Sequence, residues 1–431
     1  MLKRKIVYIC HYSTSDIREQ LHLRAFSIEN FFRKICRVPP HHYVDFGTWN
    51  ADFIDAINSE DNFECFVVVQ HKGLHEKLTQ FSMNGVNFSV LRESCSLFMR
   101  VLWRIVPRFK VSYFLKQSIR IKSIVNKINP DVILICGAEN PEYSTCALLF
   151  ENKPIFVILQ TLLNSPKRIS LGIGSEYRRR LENMIFKRVM YYGSINIEEC
   201  NYIKTLNPDA NCLKLMFPSS GLTPNLERRK EFDFVFFANG LSKYKGTEDA
   251  LRGFITVHKK YRAARINIIG SCESAYRRLL DEIVNSNGIQ DNVVFSERYP
   301  RKKDVIQQVQ RAKVAVLPGI TAPLNSTVRE CMFLGIPVIV YETGVTQIIN
   351  KEAVALLEAK MENVVDLGGK MLYAYEHSNE MNEMAKRAKL YAENNFSKNA
   401  VKQALTADIN AIINHYYFGE MIPEGLMILN R

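Results

Sequence analysis

The sequence has no apolar run near the ~18 residues that a membrane-spanning helix needs. It has no CxxC pair and no Cys/His cluster at zinc spacing. Its ten cysteines are scattered, and Cys10, Cys65, Cys136 and Cys146 sit in apolar segments. Such cysteines read as reduced core thiols of a cytosolic protein, not as a disulfide framework or a metal site. The N-terminus, MLKRKIVYICHYSTSD, offers only Ile6 to Cys10 as an apolar stretch, which is too short for a signal peptide and fits a first buried strand. No repeat or low-complexity segment occurs, and no helix-turn-helix, zinc-finger or RNP pattern points to nucleic acid.

What the chain has is length and an uneven charge. A chain of 431 residues exceeds one core, so two domains are expected. Residues 1–220 hold 29 Lys and Arg against 20 Asp and Glu, a net +9 of the total +13. The excess is densest from Arg100 to Lys127, with eight basic residues and no acid. Arg100, Arg104 and Arg108 share a helical face at i, i+4 spacing, Lys110 follows, and Pro107 should break or kink that helix. Such a segment suits an anionic membrane surface; a solvated basic face over a core helix is the other reading.

Short Val/Ile-rich runs alternate with helical stretches along most of the chain. Lys5–Cys10, Cys65–Gln70, Asn87–Leu91, Asp131–Cys136 and Ile155–Gln160 read as strands buried on both faces. Phe232–Ala238, Arg265–Gly270, Asn292–Ser296, Val314–Pro318 and Pro337–Tyr341 repeat the pattern. The linker-like FPSSGLTPNLERRKEFD lies between the two sets. The expected architecture is α/β: two doubly wound, Rossmann-like domains, 1–217 and 218–395, facing a central cleft. A helical segment, 396–431, would follow and could cross back to the first domain. Ligands of open α/β sheets bind at the carboxyl ends of strands.

In the second half, Lys245-Gly246 precedes a helix whose expected N-cap is Thr247. A lysine at a helix start favours an anion such as a diphosphate. Gly240 and Gly270 end strands where backbone can approach a ligand. A second helix begins at Asn325-Ser326-Thr327, with Glu330 about one turn in, placed to accept hydrogen bonds from ribose hydroxyls. Together these describe a nucleotide-diphosphate site.

The order LSKYKG before a helix, KVAVLPG, then TVRECMFLGIPVIVYETG resembles glycosyltransferase family 4, whose motif is EAMA.G.PVI. INPDVILICGAENPEYS and KPIFVILQTL resemble the family's first half less closely. The resemblance implies the GT-B fold and a retaining, metal-independent transfer from a UDP- or GDP-sugar, without further cofactor. Lys245 would neutralise the donor diphosphate, Glu330 would bind ribose, and Asn325, Ser326 and Thr327 would meet phosphate. Gly137, Glu139 and Gln160 would face sugar and acceptor. The absence of any DxD triplet suits leaving-group stabilisation by Lys245 and helix dipoles. The acceptor implied is a glycan or lipid-linked glycan of cell-surface polysaccharide synthesis, including lipopolysaccharide or capsule. The enzyme would be cytoplasmic, with peripheral contact at the inner membrane face. Departures from the pattern are Ala322 where many members have Glu, Gln160-Thr161 where many have His-Asp, and no phosphate-binding Arg near Gly240. They leave a non-catalytic nucleotide-sugar-binding protein, or a nucleotide-sugar epimerase, as the alternatives. His71 or His75 could serve the acceptor side.

Overall fold

The structure, a computed structural model, describes residues 3–37, 40, 42–93, 108–219, 222–225, 228–296, 299, 301–321 and 324–428. The chain divides into two compact units, 1–218 with 401–431, and 219–400.

The first unit is built on an eight-stranded sheet among the described residues. Its strands are β1 (Arg4–Ile9), β2 (Phe63–His71), β3 (Leu78–Met83), β4 (Val86–Arg92), β5 (Val132–Cys136), β6 (Ile155–Ile158), β7 (Tyr191–Ser194) and β8 (Asn211–Lys214). Their order is β3-β4-β2-β1-β5-β6-β7-β8, parallel except for the β3–β4 hairpin. Successive side chains point to opposite faces. Ile6, Tyr8, Val67 and Leu134 therefore enter one core, and Val7, Ile9, Val68 and Ile133 enter the other. This is why β1 and β5 read as unbroken apolar runs.

The helix Lys398–Phe418 returns the chain to this unit. It buries Val401, Leu405, Ile409, Ile412 and Ile413 in the same core as Ile6 and Tyr8. Each such side chain is worth about 1.5–3 kcal/mol on burial. That total outweighs one misfit on the same helix. Asp408 is fully buried, and neither carboxylate oxygen has a hydrogen-bond partner among the described residues.

The second unit carries β9 (Phe232–Gly240), β10 (Ile266–Ser271), β11 (Val293–Ser296), β12 (Ala312–Val316), β13 (Val338–Tyr341) and β14 (Leu357–Ala359). Their order is β11-β10-β9-β12-β13-β14, with every pairing parallel. Phe234, Phe236, Ile266, Ile268, Val314 and Val316 pack against Leu251, Phe254, Leu280 and Met371 of the flanking helices.

The loops after β9 and β12 lean on each other. The Ile320 amide donates to the Tyr244 carbonyl at 3.1 Å. Gly246 has φ 83°, and a Cβ there would stand 2.1 Å from the Pro318 carbonyl oxygen. Gly246, not the expected Thr247, is the N-cap of the helix Thr247–Lys260. Thr247 is turned inward, its hydroxyl donating to the Ser242 carbonyl and accepting from the Ser242 amide, both at 3.2 Å. Its side chain closes the loop and leaves capping to the residue before it. The last stretch of the chain holds two helices, Ser378–Phe396 and Lys398–Phe418, parted at Ser397.

Two outcomes follow for stability. Gly246→Ala places a methyl group into the Pro318 carbonyl and forces a left-handed residue to carry a Cβ, so it should cost about 1–3 kcal/mol in denaturant melts. Burial pushes the Asp408 carboxyl up to about 8. In the unfolded chain it loses its proton near pH ~4, so the folded state holds the extra proton between those values and loses stability as pH rises through them. Asp408→Asn should therefore stabilise by about 1–4 kcal/mol at pH ~8, a gain that thermal melts should show vanishing toward pH ~4.

Candidate functional site

In the second unit the chain runs from β9 outward to β10 and β11, then returns to place β12 on the other side of β9. The β9/β12 boundary is the point where strand order reverses, and loops leaving it at the carboxyl ends part to form a crevice. Both loops singled out in the sequence leave from this boundary. Lys245 closes a one-turn 3-10 helix, Lys243–Lys245, after β9. Pro318-Gly319-Ile320 follows β12 and leads to the helix Ser326–Leu334, with Asn325 as its N-cap. A Cβ on Gly319 would lie 2.6 Å from the Asn325 side-chain nitrogen and 3.9 Å from the Lys245 carbonyl oxygen. The structure thus brings Lys245, Gly246, Asn325, Ser326 and Thr327 together.

Neither N-cap gives its helix a side-chain hydrogen bond. The first amides of both helices are the kind of donor that an anion satisfies, with the dipoles adding to the Lys245 charge.

Glu330 is buried one turn into the second helix, and its Oε1 lies 2.9 Å from Lys302 Nζ. Arg329, the preceding residue, is also buried; its guanidinium sits 5.9 Å from the Phe396 ring centroid, and burial lowers its pKa to about 10 against the pull of Glu330. Sequence reasoning missed Lys302. Its signal was the run Arg301-Lys302-Lys303 at the start of a helix, Lys302–Val309, that follows β11. Gly240 ends β9, where the Leu241 amide donates to the Ser271 carbonyl. Gly270 has a packing reason: at φ 147° its Cβ would stand 2.4 Å from the Ala238 carbonyl oxygen. Ala322 lies outside the described residues.

The first unit has its own reversal, between β1 and β5. Gly137 and Glu139 follow β5 there. Gly137 has φ 81°, and a Cβ on it would come within 2.6 Å of Glu139 Oε2. Glu139 is buried, its Oε1 accepts from Asn140 at 3.0 Å, and its carbonyl accepts from Arg178 Nε at 2.8 Å. Burial raises its pKa, with its backbone hydrogen bond and Arg178 opposing. Gln160, after β6, is exposed and donates to Cys136 Sγ at 2.6 Å.

Two further buried carboxylates escaped sequence reasoning because they lie on polar helical stretches far apart in the chain. Glu182 accepts from the Leu163 and Asn164 amides and the Asn164 side chain, at 2.7–3.0 Å, which pins the loop after β6. Glu199 accepts from the Ser194 hydroxyl at 2.6 Å, at the end of β7. Burial pushes both up to about 7. The half-buried Arg168 is held electrostatically by Glu199, Glu139 and Glu182, while burial lowers its pKa. On the other side of β1, burial lowers His11 and His71 to about 4, so both are neutral at neutral pH. His71 Nδ1 accepts from the Gly73 amide at 3.1 Å. His75 stands with His22 and Glu76 in an exposed group whose ligating atoms lie within 4.8 Å of one another.

Arg100 and Arg104 lie outside the described residues, while Arg108 and Lys110 open the helix Arg108–Ile128. No helix among the described residues is long and apolar enough to cross a membrane.

Residues 223–391 match the family model described as glycosyl transferases group 1. A curated relative, an uncharacterized glycosyltransferase of Haemophilus influenzae, is 27% identical over 141 residues, which cover 32% of this chain and 38% of that protein. Sucrose-phosphate synthase from Thermosynechococcus elongatus has a similar structure, with a TM-score of 0.63 at 13% identity over 94% of this chain and 98% of that one. HepE from Anabaena, solved in complex with UDP-glucose, has a TM-score of 0.59 at 12% identity over 95% of this chain and 100% of its own. Residues 223–391 are therefore similar to glycosyl transferases group 1, and the chain shares the two-domain, parallel-sheet α/β fold of its solved structural neighbours, which are GT-B glycosyltransferases.

Proposed function

We propose that the chain is a retaining glycosyltransferase that moves a sugar from a UDP-sugar to a glycan or lipid-linked acceptor in cell-surface polysaccharide synthesis. The observation that carries this reading is the pair of helix starts joined at the β9/β12 reversal, with Lys245 on one and Glu330 on the other. The solved HepE complex with UDP-glucose, similar in fold, supports UDP as the nucleotide.

The diphosphate binds across the two helix starts, where Lys245 and backbone amides hold its charge. Glu330 turns from Lys302 toward the ribose hydroxyls, and Lys302 stays beside it to keep the carboxylate balanced. During transfer the bond from the sugar's anomeric carbon to the diphosphate oxygen breaks and the acceptor oxygen bonds that carbon. The acceptor proton leaves with the departing phosphate. Lys245 and the helix dipoles stabilise charge as it grows on the leaving group, without a metal ion. The strand ends of the first unit, with Glu139 and Gln160, take the acceptor and sugar.

Lys245→Ala and Glu330→Gln should each lower UDP affinity about tenfold or more in calorimetry, since each removes a charge-assisted contact of about 1.5–3 kcal/mol, with melting temperatures nearly unchanged. Unaltered affinity in both variants rejects the site. A panel of labelled UDP-sugars should show slow hydrolysis to UDP and free sugar. Binding with no turnover in the presence of any acceptor extract would support a non-catalytic protein instead, and interconversion of the sugars would support an epimerase.

A further inference from the structure

We propose that the outward face of the helix Ser27–Ile35 docks on the surface of an anionic lipid bilayer. This helix is turned the wrong way for a core element. Phe31, Phe32 and Ile35 are 62%, 60% and 64% exposed. Among the residues of the helix whose burial is described, Asn30, Arg33 and the N-cap Phe26 are partly covered. At 100° per residue, Phe26, Asn30 and Arg33 fall on one side of the helix, and Phe31, Phe32 and Ile35 on the opposite side. A helix that covers its polar residues and offers its largest apolar ones to solvent has a partner outside its own unit.

After the helix the chain turns back toward its start. Phe26 packs against Tyr43 with ring centroids 4.4 Å apart, which brings the return segment back to the helix start. Val44 beside it is exposed, as is Trp49 a few residues on. Tyr43 is anchored by its hydroxyl, which donates to the Arg24 carbonyl at 3.0 Å. The apolar face is therefore presented by a fixed platform.

Charge selects the partner. Between Arg24 and Val44 the chain has four Lys and Arg and a single acid, Glu29. Lys34 and Arg37 are exposed at the end of the helix whose apolar face points outward. An anionic bilayer takes aromatic and aliphatic side chains at its interface and basic ones among its headgroups, which is what this helix offers. The helix lies in the segment that follows β1, whose carboxyl end belongs to the strand-order reversal of the first unit. The docked face would thus lie on the connection leaving the strand end to which the proposed function assigns the acceptor. This extends the membrane side of that reading. Its test uses no donor, so failure here leaves the donor reading standing, and loss of UDP binding leaves this one standing.

The test is co-sedimentation of the full chain with vesicles of equal parts phosphatidylcholine and phosphatidylglycerol, and with phosphatidylcholine alone. The wild type should bind the mixed vesicles and hardly bind the neutral ones. The triple variant Phe31→Ser, Phe32→Ser, Ile35→Ser should bind the mixed vesicles at least about tenfold more weakly, because three apolar side chains no longer leave water. Since all three are exposed, its melting temperature should match the wild type. Lys34→Glu with Arg37→Glu should also weaken binding to mixed vesicles, and added salt should release the wild type. Three results would overturn the proposal: wild type that ignores both vesicle types, a triple variant that binds like wild type, or a wild-type dimer in lipid-free light scattering that the triple variant turns into a monomer.

Discussion

The seam between the loops after β9 and β12 is the contact on which the geometry of the proposed donor site depends. One backbone hydrogen bond, Ile320 to Tyr244, and one side-chain-free approach, Gly246 against Pro318, hold two helix starts next to each other. Each helix alone would offer a weak, general attraction for anions. Held together at a strand-order reversal, they offer two sets of amides at a fixed spacing, with a lysine between sheet and helix. The glycine is needed because the carbonyl it touches leaves no room for a Cβ, and the same contact sets where Lys245 stands.

The first unit uses buried charge differently. Glu139, Glu182 and Glu199 are withdrawn from solvent near the ends of β5, β6 and β7, and each carries structural hydrogen bonds. Glu182 ties down the loop after β6, while Glu199 fixes Ser194 at the end of β7. Their raised pKa values come from burial. Arg168, which is half-buried, loses more in hydration than the three carboxylates return, so its pKa is lowered. The edge at the ends of β5, β6 and β7 takes its shape from buried hydrogen bonds and not from exposed, screened ion pairs.

The strands that the sequence made legible are the ones buried on both faces. β1, β5 and β9 are apolar without alternation because helices cover both sides of each sheet. β3 was not legible: its sequence, LTQFSM, alternates and is half-exposed in an antiparallel hairpin. β7, β8 and β14 (YYGS, NCLK and LEA) lack the unbroken apolar run that made the equally short β6 and β13 legible. In the second unit, Glu330 and Lys245 were visible because each lies at the start of a helix following a buried strand. Lys302 was not, since its partner is 28 positions away and only folding joins them. Thr247 misled because threonine is a common N-cap; here its hydroxyl is committed to Ser242, a choice that local sequence does not reveal. Glu182 escaped for the same reason as Lys302, since the Leu163 and Asn164 amides that it holds are 19 and 18 positions away.

The helix Lys398–Phe418 has a consequence for how the molecule is made. Residues 1–218 are synthesised before residues 401–431, yet the core that they build includes Val401, Leu405, Ile409, Ile412 and Ile413. The second unit is contiguous in sequence, 219–400. Order of synthesis and order of completion are therefore reversed. The unit begun first waits, with an apolar groove beside Ile6, Tyr8 and Phe53, while nearly two hundred later residues are added and fold. Through that interval the nascent chain exposes surface that it will later cover with its own end, and chaperones have their longest opportunity on the first-made half.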